Sequence, residues 1–303
     1  MVKKISIIGS GGVGATLAFD VLAQLKVSEL ALVDVNRDLA QGVALDLEDT
    51  RGFLNFSTKI RGDSNFSIIK NSDIIVVTAG IARKKGMSRL DLLKINSDIG
   101  KDIARKIKKL APDSIVIVVT NPLDVMTRLF IKNTGFSRLK VFGMGSSLDT
   151  ARLYNILHKT TGVCTSSFSG CVYGPHSKDM IVNLNRIKIE DEDLSKLVKK
   201  NNFRQLKSRV QLRGAEIVDL LKNKSANFAP ALACCKLIEA IAFDKNEVIP
   251  VSVLLKGEYG LHDICLGAPC IINRKGIANI LKLSLSASEL KELRRTASLL
   301  KNV

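Results

Sequence analysis

The sequence predicts an α/β protein, with an N-terminal doubly wound parallel sheet followed by a C-terminal mixed α+β domain. Three observations lead there. The first is the opening. Ile5, Ile7 and Ile8 form a short apolar run, Gly9-Ser10-Gly11-Gly12-Val13-Gly14 follows at once, and Leu17, Val21, Leu22 and Leu25 continue as an apolar helical pattern. The second is the alternation of apolar runs with helical patterns through the first half, as expected of parallel strands covered on both faces. The third is a change of character near Gly145, after which long helices and strands of antiparallel type replace the alternation.

In chain order, the glycines occupy the first, third and sixth places of G-x-G-x-x-G, between a strand and a helix. Each place has its own reason: a tight turn, close approach of a pyrophosphate to backbone, and close helix–strand packing. The new helix points free N–H groups at the phosphates, where its dipole favours anions. Leu30 to Val33 is a second strand ending in Asp34, twenty residues past Gly14. A carboxylate there suits ribose hydroxyls and repels a 2′-phosphate, so the expected cofactor is NAD rather than NADP. A helix is expected over Arg37 to Glu48 and a strand near Lys59 to Arg61. Asp73 to Thr78 reads as a buried strand running into Ala79-Gly80. A polar loop from Ile81 to Arg89 leads into a long helix ending near Leu110. Ser114 to Val119 is another buried strand, ending at Thr120-Asn121-Pro122. A helix and the short strand Lys140 to Phe142 complete a Rossmann-type domain over residues 1–144. Ligands in such sheets bind at the carboxyl ends of strands, where Gly9 to Gly14, Asp34, Thr78 to Gly80 and Asn121 all fall.

Residues 145–303 are expected to form the substrate domain. Gly145 to His158 reads as a helix, with strand-like pieces at Phe168 to Val172 and Met180 to Leu184. Helices follow at Asp191 to Asn223 and Pro230 to Phe243. Val248 to Leu255 and Cys265 to Ile272 read as strands, and Ser286 to Leu300 closes the chain as a helix.

Composition excludes several classes. The 303 residues are 46% hydrophobic, the value of an ordinary globular protein. No apolar run approaches the ~20 residues of a membrane span. The N-terminus enters a strand directly, with no signal-peptide pattern. Six cysteines without a C-x-x-C read as buried or reduced thiols of a cytoplasmic protein. Three scattered histidines are too few for a zinc constellation, so no metal is expected. The net charge of +17 invites a nucleic-acid reading. The dense stretches Lys101 to Lys109 and Lys196 to Arg209, however, read as helical exteriors without aromatic interleaving. A solvated basic surface that steers an anionic substrate is the reading adopted.

Four further clusters carry chemistry: Ala82 to Arg89, with two arginines; Thr120-Asn121-Pro122-Leu123-Asp124; Gly145 to Arg152; and Tyr173 to Met180, with His176. Asp149 and Arg152 share one helix face. An Asp, a His and three Arg suit hydride transfer to or from an acid substrate.

The glycine loop, the V-T-N-P-L-D run and the G-x-x-L-D-x-x-R run together resemble the lactate/malate dehydrogenase superfamily over essentially the whole length. Within it the chain more closely resembles the LDH-like malate dehydrogenases. The resemblance implies a set of roles. His176 would exchange the proton, and Asp149 would orient its ring and favour the protonated form. Arg152 would hold the first carboxylate in a two-pronged pair, Arg83 a second, and Arg89 would polarise the carbonyl from a closing loop. Asn121 would contact substrate and nicotinamide. Gly9, Gly11, Gly12, Val13, Gly14, Asp34, Thr78, Ala79, Gly80, Asn96 and Val119 would bind NAD. A homodimer or homotetramer is implied.

The chain departs from the family pattern at Ser177-Lys178, where Gly-Asp is usual, at Lys85 in place of a proline, and at Leu90 in place of an acid. Ala226 and Pro230 fill the substrate wall, as malate enzymes tend to have. The expected activity is the interconversion of malate and oxaloacetate with NAD. The alternatives are a lactate or relaxed 2-hydroxyacid dehydrogenase, and, outside catalysis, a dinucleotide-binding protein with a basic nucleic-acid surface.

Overall fold

The structure, a computed structural model, describes residues 2–81, 89–222 and 225–301; at 89, 90 and 301 it describes the backbone alone. The first half runs β1 (Lys4–Ile8), α1 (Gly12–Gln24), β2 (Glu29–Val33), α2 (Arg37–Asp49), α3 (Arg51–Leu54), β3 (Lys59–Asp63), β4 (Ile74–Val77), α4 (Arg89–Leu110), β5 (Ile115–Val118), α5 (Leu123–Thr134) and β6 (Val141–Gly143). These six strands are parallel and lie in the order β3-β2-β1-β4-β5-β6, the doubly wound arrangement. Every residue of β4 and β5 is buried. That explains their unbroken apolar runs, because helices cover both sheet faces. The strand order reverses between β1 and β4, so the crevice at their carboxyl ends opens beside Gly9 and Thr78.

The second half contains α6 (Gly145–Thr161), β7 (Phe168–Ser169), β8 (Lys188–Ile189), β9 (Glu192–Asp193), α7 (Phe203–Leu221), α8 (Phe228–Ala242), β10 (Glu247–Lys256), β11 (His262–Asn273), β12 (Gly276–Ile280) and α9 (Ala287–Lys301). Strands β10 to β12 are antiparallel to one another and extend the main sheet through a single pairing, Ser252 with Gly143. The antiparallel strands are therefore joined to the edge of the parallel sheet. A Cβ on Gly143 would lie 2.6 Å from Leu123 and Thr127 and 3.1 Å from Ser252. Only a glycine lets α5, β6 and β10 close together there.

Three sequence expectations fail here. Met180 to Leu184 forms no strand; Ile181 makes only a lone bridge to Tyr173. The expected helix from Asp191 begins only at Phe203. Residues 188–193 instead form a tight hairpin turning at Glu190, whose φ is +55°, and short 3₁₀ turns bury Leu194 and Val198 beside Leu206. Leu194 and Val198 are four apart, as in a helix, but cross-strand pairing of Lys188 with Asp193 captures the segment first. The strand expected over Phe168 to Val172 is cut to Phe168–Ser169, paired with Lys188 and Ile189.

All six cysteines are free thiols. Cys234, Cys235, Cys265 and Cys270 are buried, and Cys164 is exposed. Among the described residues no helix is long and apolar enough to cross a membrane.

Candidate active site

The glycine turn is a steric construction. Gly9 has φ +107°, and a Cβ there would come within 2.6 Å of Thr78 Oγ1. A Cβ on Gly14 would stand 1.8 Å from the Gly9 carbonyl oxygen, so α1 can approach β1 only with glycine at that position. Gly11 is different: nothing lies within 4 Å of its would-be Cβ. No side chain caps α1, whereas the Asn36 side chain accepts the Leu39 N–H at the start of α2. The uncapped N-terminus of α1 thus begins beside a position with room for close approach of a ligand. Ser10 Oγ, buried in the same turn, has no hydrogen-bond partner.

Asp34 closes the turn from β2. Its Oδ2 accepts the Ser10 N–H at 2.7 Å and its Oδ1 the Asn36 N–H at 3.0 Å. The ends of β1, β4 and β5 are laced together. Thr78 Oγ1 donates to the Gly9 carbonyl at 2.9 Å, Thr120 Oγ1 to that of Ala79 at 2.6 Å, and the Val119 N–H to that of Val77 at 2.9 Å. Asn96, almost fully buried, accepts the Ile81 N–H at 2.9 Å and donates to the Asn121 carbonyl at 2.8 Å. Its amide therefore braces the loops after β4 and β5. Asn121 is itself exposed, and the Asn121-Pro122 peptide that follows it is cis.

The second cluster gathers distant residues. Asp149, 1% exposed in α6, accepts from His176 Nδ1 at 2.7 Å through Oδ2 and faces Arg152 Nη1 at 3.4 Å through Oδ1. One buried carboxylate thus fixes both the imidazole and the guanidinium. With Nδ1 bound, His176 Nε2 is the ring nitrogen left for a substrate. Burial favours the neutral ring, but the charge and hydrogen bond of Asp149 outweigh it and hold His176 above the ordinary histidine value. Burial acts the opposite way to Asp149 on Arg152 and pulls its pKa down. Arg152 Nε is buried without a partner. A desolvated guanidinium with a spare donor is what a carboxylate ligand satisfies.

The His176 turn dispenses with the expected glycine. Ser177 Oγ accepts the Asp179 N–H at 3.1 Å, and the Ser177 carbonyl accepts the Met180 N–H at 3.0 Å. Arg83 and Lys85 lie outside the described residues, as do the side chains of Arg89 and Leu90. Pro230 sits buried in the first turn of α8, where its missing N–H costs no helical bond.

Two residues escaped the sequence reading. Asp124 was seen within its motif without a role; it is buried, accepts the His176 N–H at 2.8 Å and is bonded by Ser252 Oγ at 2.6 Å. The signal for Asp124 was its place at the start of α5, next to Asn121. Ser252 had none, since it is one serine in an apolar strand.

The residues of the turn fit a dinucleotide: open backbone donors, an orphan hydroxyl and a carboxylate at the end of β2. Among the described residues no group of three or more His, Cys, Asp or Glu could hold a metal ion.

Comparison with known proteins agrees with this division of labour. Residues 3–143 match the family description "lactate/malate dehydrogenase, NAD binding domain", and residues 146–303 match "lactate/malate dehydrogenase, alpha/beta C-terminal domain". The malate dehydrogenase of Staphylococcus saprophyticus is 41% identical, over 99% of this chain and 97% of that one. The apo malate dehydrogenase of Picrophilus torridus superposes with a TM-score of 0.95 at 32% identity, covering 100% of this chain and 96% of that one. The Cryptosporidium parvum lactate dehydrogenase complexed with lactic acid and cofactor gives 0.94 at 31%, with coverage of 100% and 96%. A glycine turn built for a dinucleotide, a buried Asp–His–Arg cluster and full-length matches to both family domains lead to one assignment: the chain belongs to the lactate/malate dehydrogenase family.

Proposed function

We infer that the chain is an NAD-dependent oxidoreductase interconverting malate and oxaloacetate. The observation that carries the reading is Asp149, which holds a proton-exchanging imidazole and a carboxylate-binding guanidinium at 2.7 and 3.4 Å. NAD, when bound, supplies or accepts the hydride. The chain's residues do the rest. His176 gives its Nε2 proton to the carbonyl oxygen of oxaloacetate, and in the reverse direction removes the hydroxyl proton of malate. Asp149 keeps Nδ1–H in place and stabilises the imidazolium. Arg152 binds the carboxylate next to the reacting carbon, Arg83 the distal one, and Arg89 polarises the carbonyl. Asn121 orients the substrate against the nicotinamide. Gly9, Gly11, Gly12, Val13 and Gly14 receive the pyrophosphate; Asp34 takes the ribose hydroxyls; Thr78, Ala79, Gly80, Asn96 and Val119 line the rest of the crevice. The cofactor module spans 1–144 and the substrate module 145–303, the junction falling between β6 and α6.

The same reading makes the protein a cytoplasmic homo-oligomer. Exposed Phe19, Leu45, Phe53, Phe228 and Leu232 on α1, α2, α3 and α8 support a second copy docking there. The free thiols support a reducing compartment.

The test is steady-state oxidation of NADH with oxaloacetate and with pyruvate, side by side. Oxaloacetate is expected to win by at least about thirtyfold in kcat/KM, because pyruvate has no second carboxylate to pair with Arg83, a lost charge pair worth ~2 kcal/mol or more. A preference for pyruvate would make the chain a lactate enzyme, and no turnover of either would leave the dinucleotide-binding alternative.

A further inference from the structure

Asp124 is a buried carboxylate with no cationic side chain hydrogen-bonded to it among the described residues. Its two donors are neutral: the His176 backbone N–H at 2.8 Å and the Ser252 hydroxyl at 2.6 Å. Ser252 is fully buried on β10, at the one pairing that joins the two halves of the sheet. A single carboxylate therefore ties together the loop that carries Asn121, the turn that carries His176 and the strand that bridges the halves. Among the described groups, the charge that favours its anion is the protonated His176 imidazole.

We propose that Asp124 is a positioning residue for proton transfer, holding the His176 backbone and, with Asp149, keeping the imidazole charged from a second side. The proposal rests on His176 being the proton donor. The groups facing the ring are Asp149 and Arg152 from α6 and Asp124 from α5; Arg213 of α7 acts on Arg152, and Cys265 of β11 lies against Asp124. Burial keeps the Cys265 thiol protonated and neutral, so among the described groups Asp124 and Asp149 are the anions acting on His176. Burial pushes Asp124 itself up to about 6, opposed by its bonds from Ser252 and the His176 N–H. The protonated ring in turn favours the Asp124 anion, so the two charges support each other.

The geometry offers a clean charge-only substitution. In Asp124→Asn, the amide oxygen can keep the His176 N–H while the amide nitrogen donates to Ser252 Oγ, because a hydroxyl can also accept. The chain has three histidines, so a sample carrying ¹³C at histidine Cε1 gives a short spectrum, assigned with His176→Asn. Each protein is titrated with saturating NADH, and kcat/KM for oxaloacetate is followed across pH in parallel. In Asp124→Asn the His176 midpoint is expected to fall by roughly one pH unit, the effect of removing one nearby opposite charge. The high-pH decline of oxaloacetate reduction should move down with it. Ser252→Ala, which weakens the Asp124 anion, should shift both the same way by less. An unchanged His176 midpoint in Asp124→Asn overturns the proposal. Should that variant not fold, an unchanged midpoint in Ser252→Ala does so. If His176→Asn keeps turnover within tenfold of the parent, the proton-donor reading fails instead, and the midpoint shifts then bear on the ring alone.

Discussion

The glycine turn and the histidine turn are built by opposite means. The glycine turn is local and subtractive. Gly9 and Gly14 work because side chains are missing, and their constraint acts across five residues, with Thr78 as the outside wall. The histidine turn is non-local and additive. His176 depends on Asp149 and Asp124, 27 and 52 positions away, and on Ser252 beyond them. The first imposes shape and offers backbone dipoles to an anion. The second imposes charge, because low-dielectric burial makes each missing or extra charge costly. The two should therefore fail separately.

The largest expected effect tests that separation directly. His176→Asn should lower kcat by roughly 10²–10⁴-fold, the range of general acid–base catalysis, while NADH affinity, read by fluorescence titration, stays within twofold of the parent. A parallel loss of NADH binding would break the comparison, since the two turns would then be one unit.

Next comes substrate choice. Arg83→Gln should reduce kcat/KM on oxaloacetate far more than on pyruvate, collapsing most of a preference of about thirtyfold or greater. An unchanged ratio would move the second carboxylate to another cation.

The glycines give a smaller and more discriminating pair. Gly14→Ala should both unfold at lower temperature and bind NADH poorly, because its Cβ would stand 1.8 Å from the Gly9 oxygen; overpacking of this kind costs roughly 1–3 kcal/mol. Gly11→Ala should keep the parent's melting temperature, with nothing within 4 Å of its Cβ, yet lose NADH affinity by the bulk it places over the helix N-terminus. Equal stability losses in the two variants would contradict the assignment of the open space over Gly11 to the cofactor.

The smallest effect concerns Asp34. Asp34→Ser should narrow the NADH-over-NADPH preference by about tenfold, one lost charge repulsion at ~1.4 kcal/mol. The side effect is modest destabilisation, since Oδ2 and Oδ1 now satisfy the Ser10 and Asn36 N–H groups at 2.7 and 3.0 Å.

The pH dependence follows from the same cluster. His176 is raised above its ordinary value, chiefly by Asp149 acting against burial. The donor form therefore persists below that raised pKa and disappears as pH rises through it. Oxaloacetate reduction should decline over that window, whereas malate oxidation, which needs the neutral ring, should increase. A kcat/KM that is pH-independent in both directions between about 6 and 9, a range around the histidine value, would remove the imidazole from the chemistry.

Sequence by itself determined the features whose cause is local. Strands buried on both faces declare themselves as unbroken apolar runs, and glycines declare themselves where a Cβ has no room. An acid at the end of a second strand has a fixed distance from the first. That was enough for the doubly wound sheet, the glycine turn and the place of Asp34. The family motifs then carried His176, Asp149 and Arg152, residues whose spacing alone does not bring them together. Tertiary structure decided what depends on partners far along the chain. It turned residues 191–202 from an expected helix into a hairpin arm and 3₁₀ turns, because pairing with Lys188–Ile189 and burial of Leu194 and Val198 outweighed helical spacing. It gave Asp263 to Arg128 and Lys132, far back along the chain. It joined the antiparallel strands to the parallel sheet through Ser252 and Gly143. And it placed Asp124 against the His176 turn, where burial strips away water and leaves a backbone N–H, a serine hydroxyl and an imidazole to answer its charge.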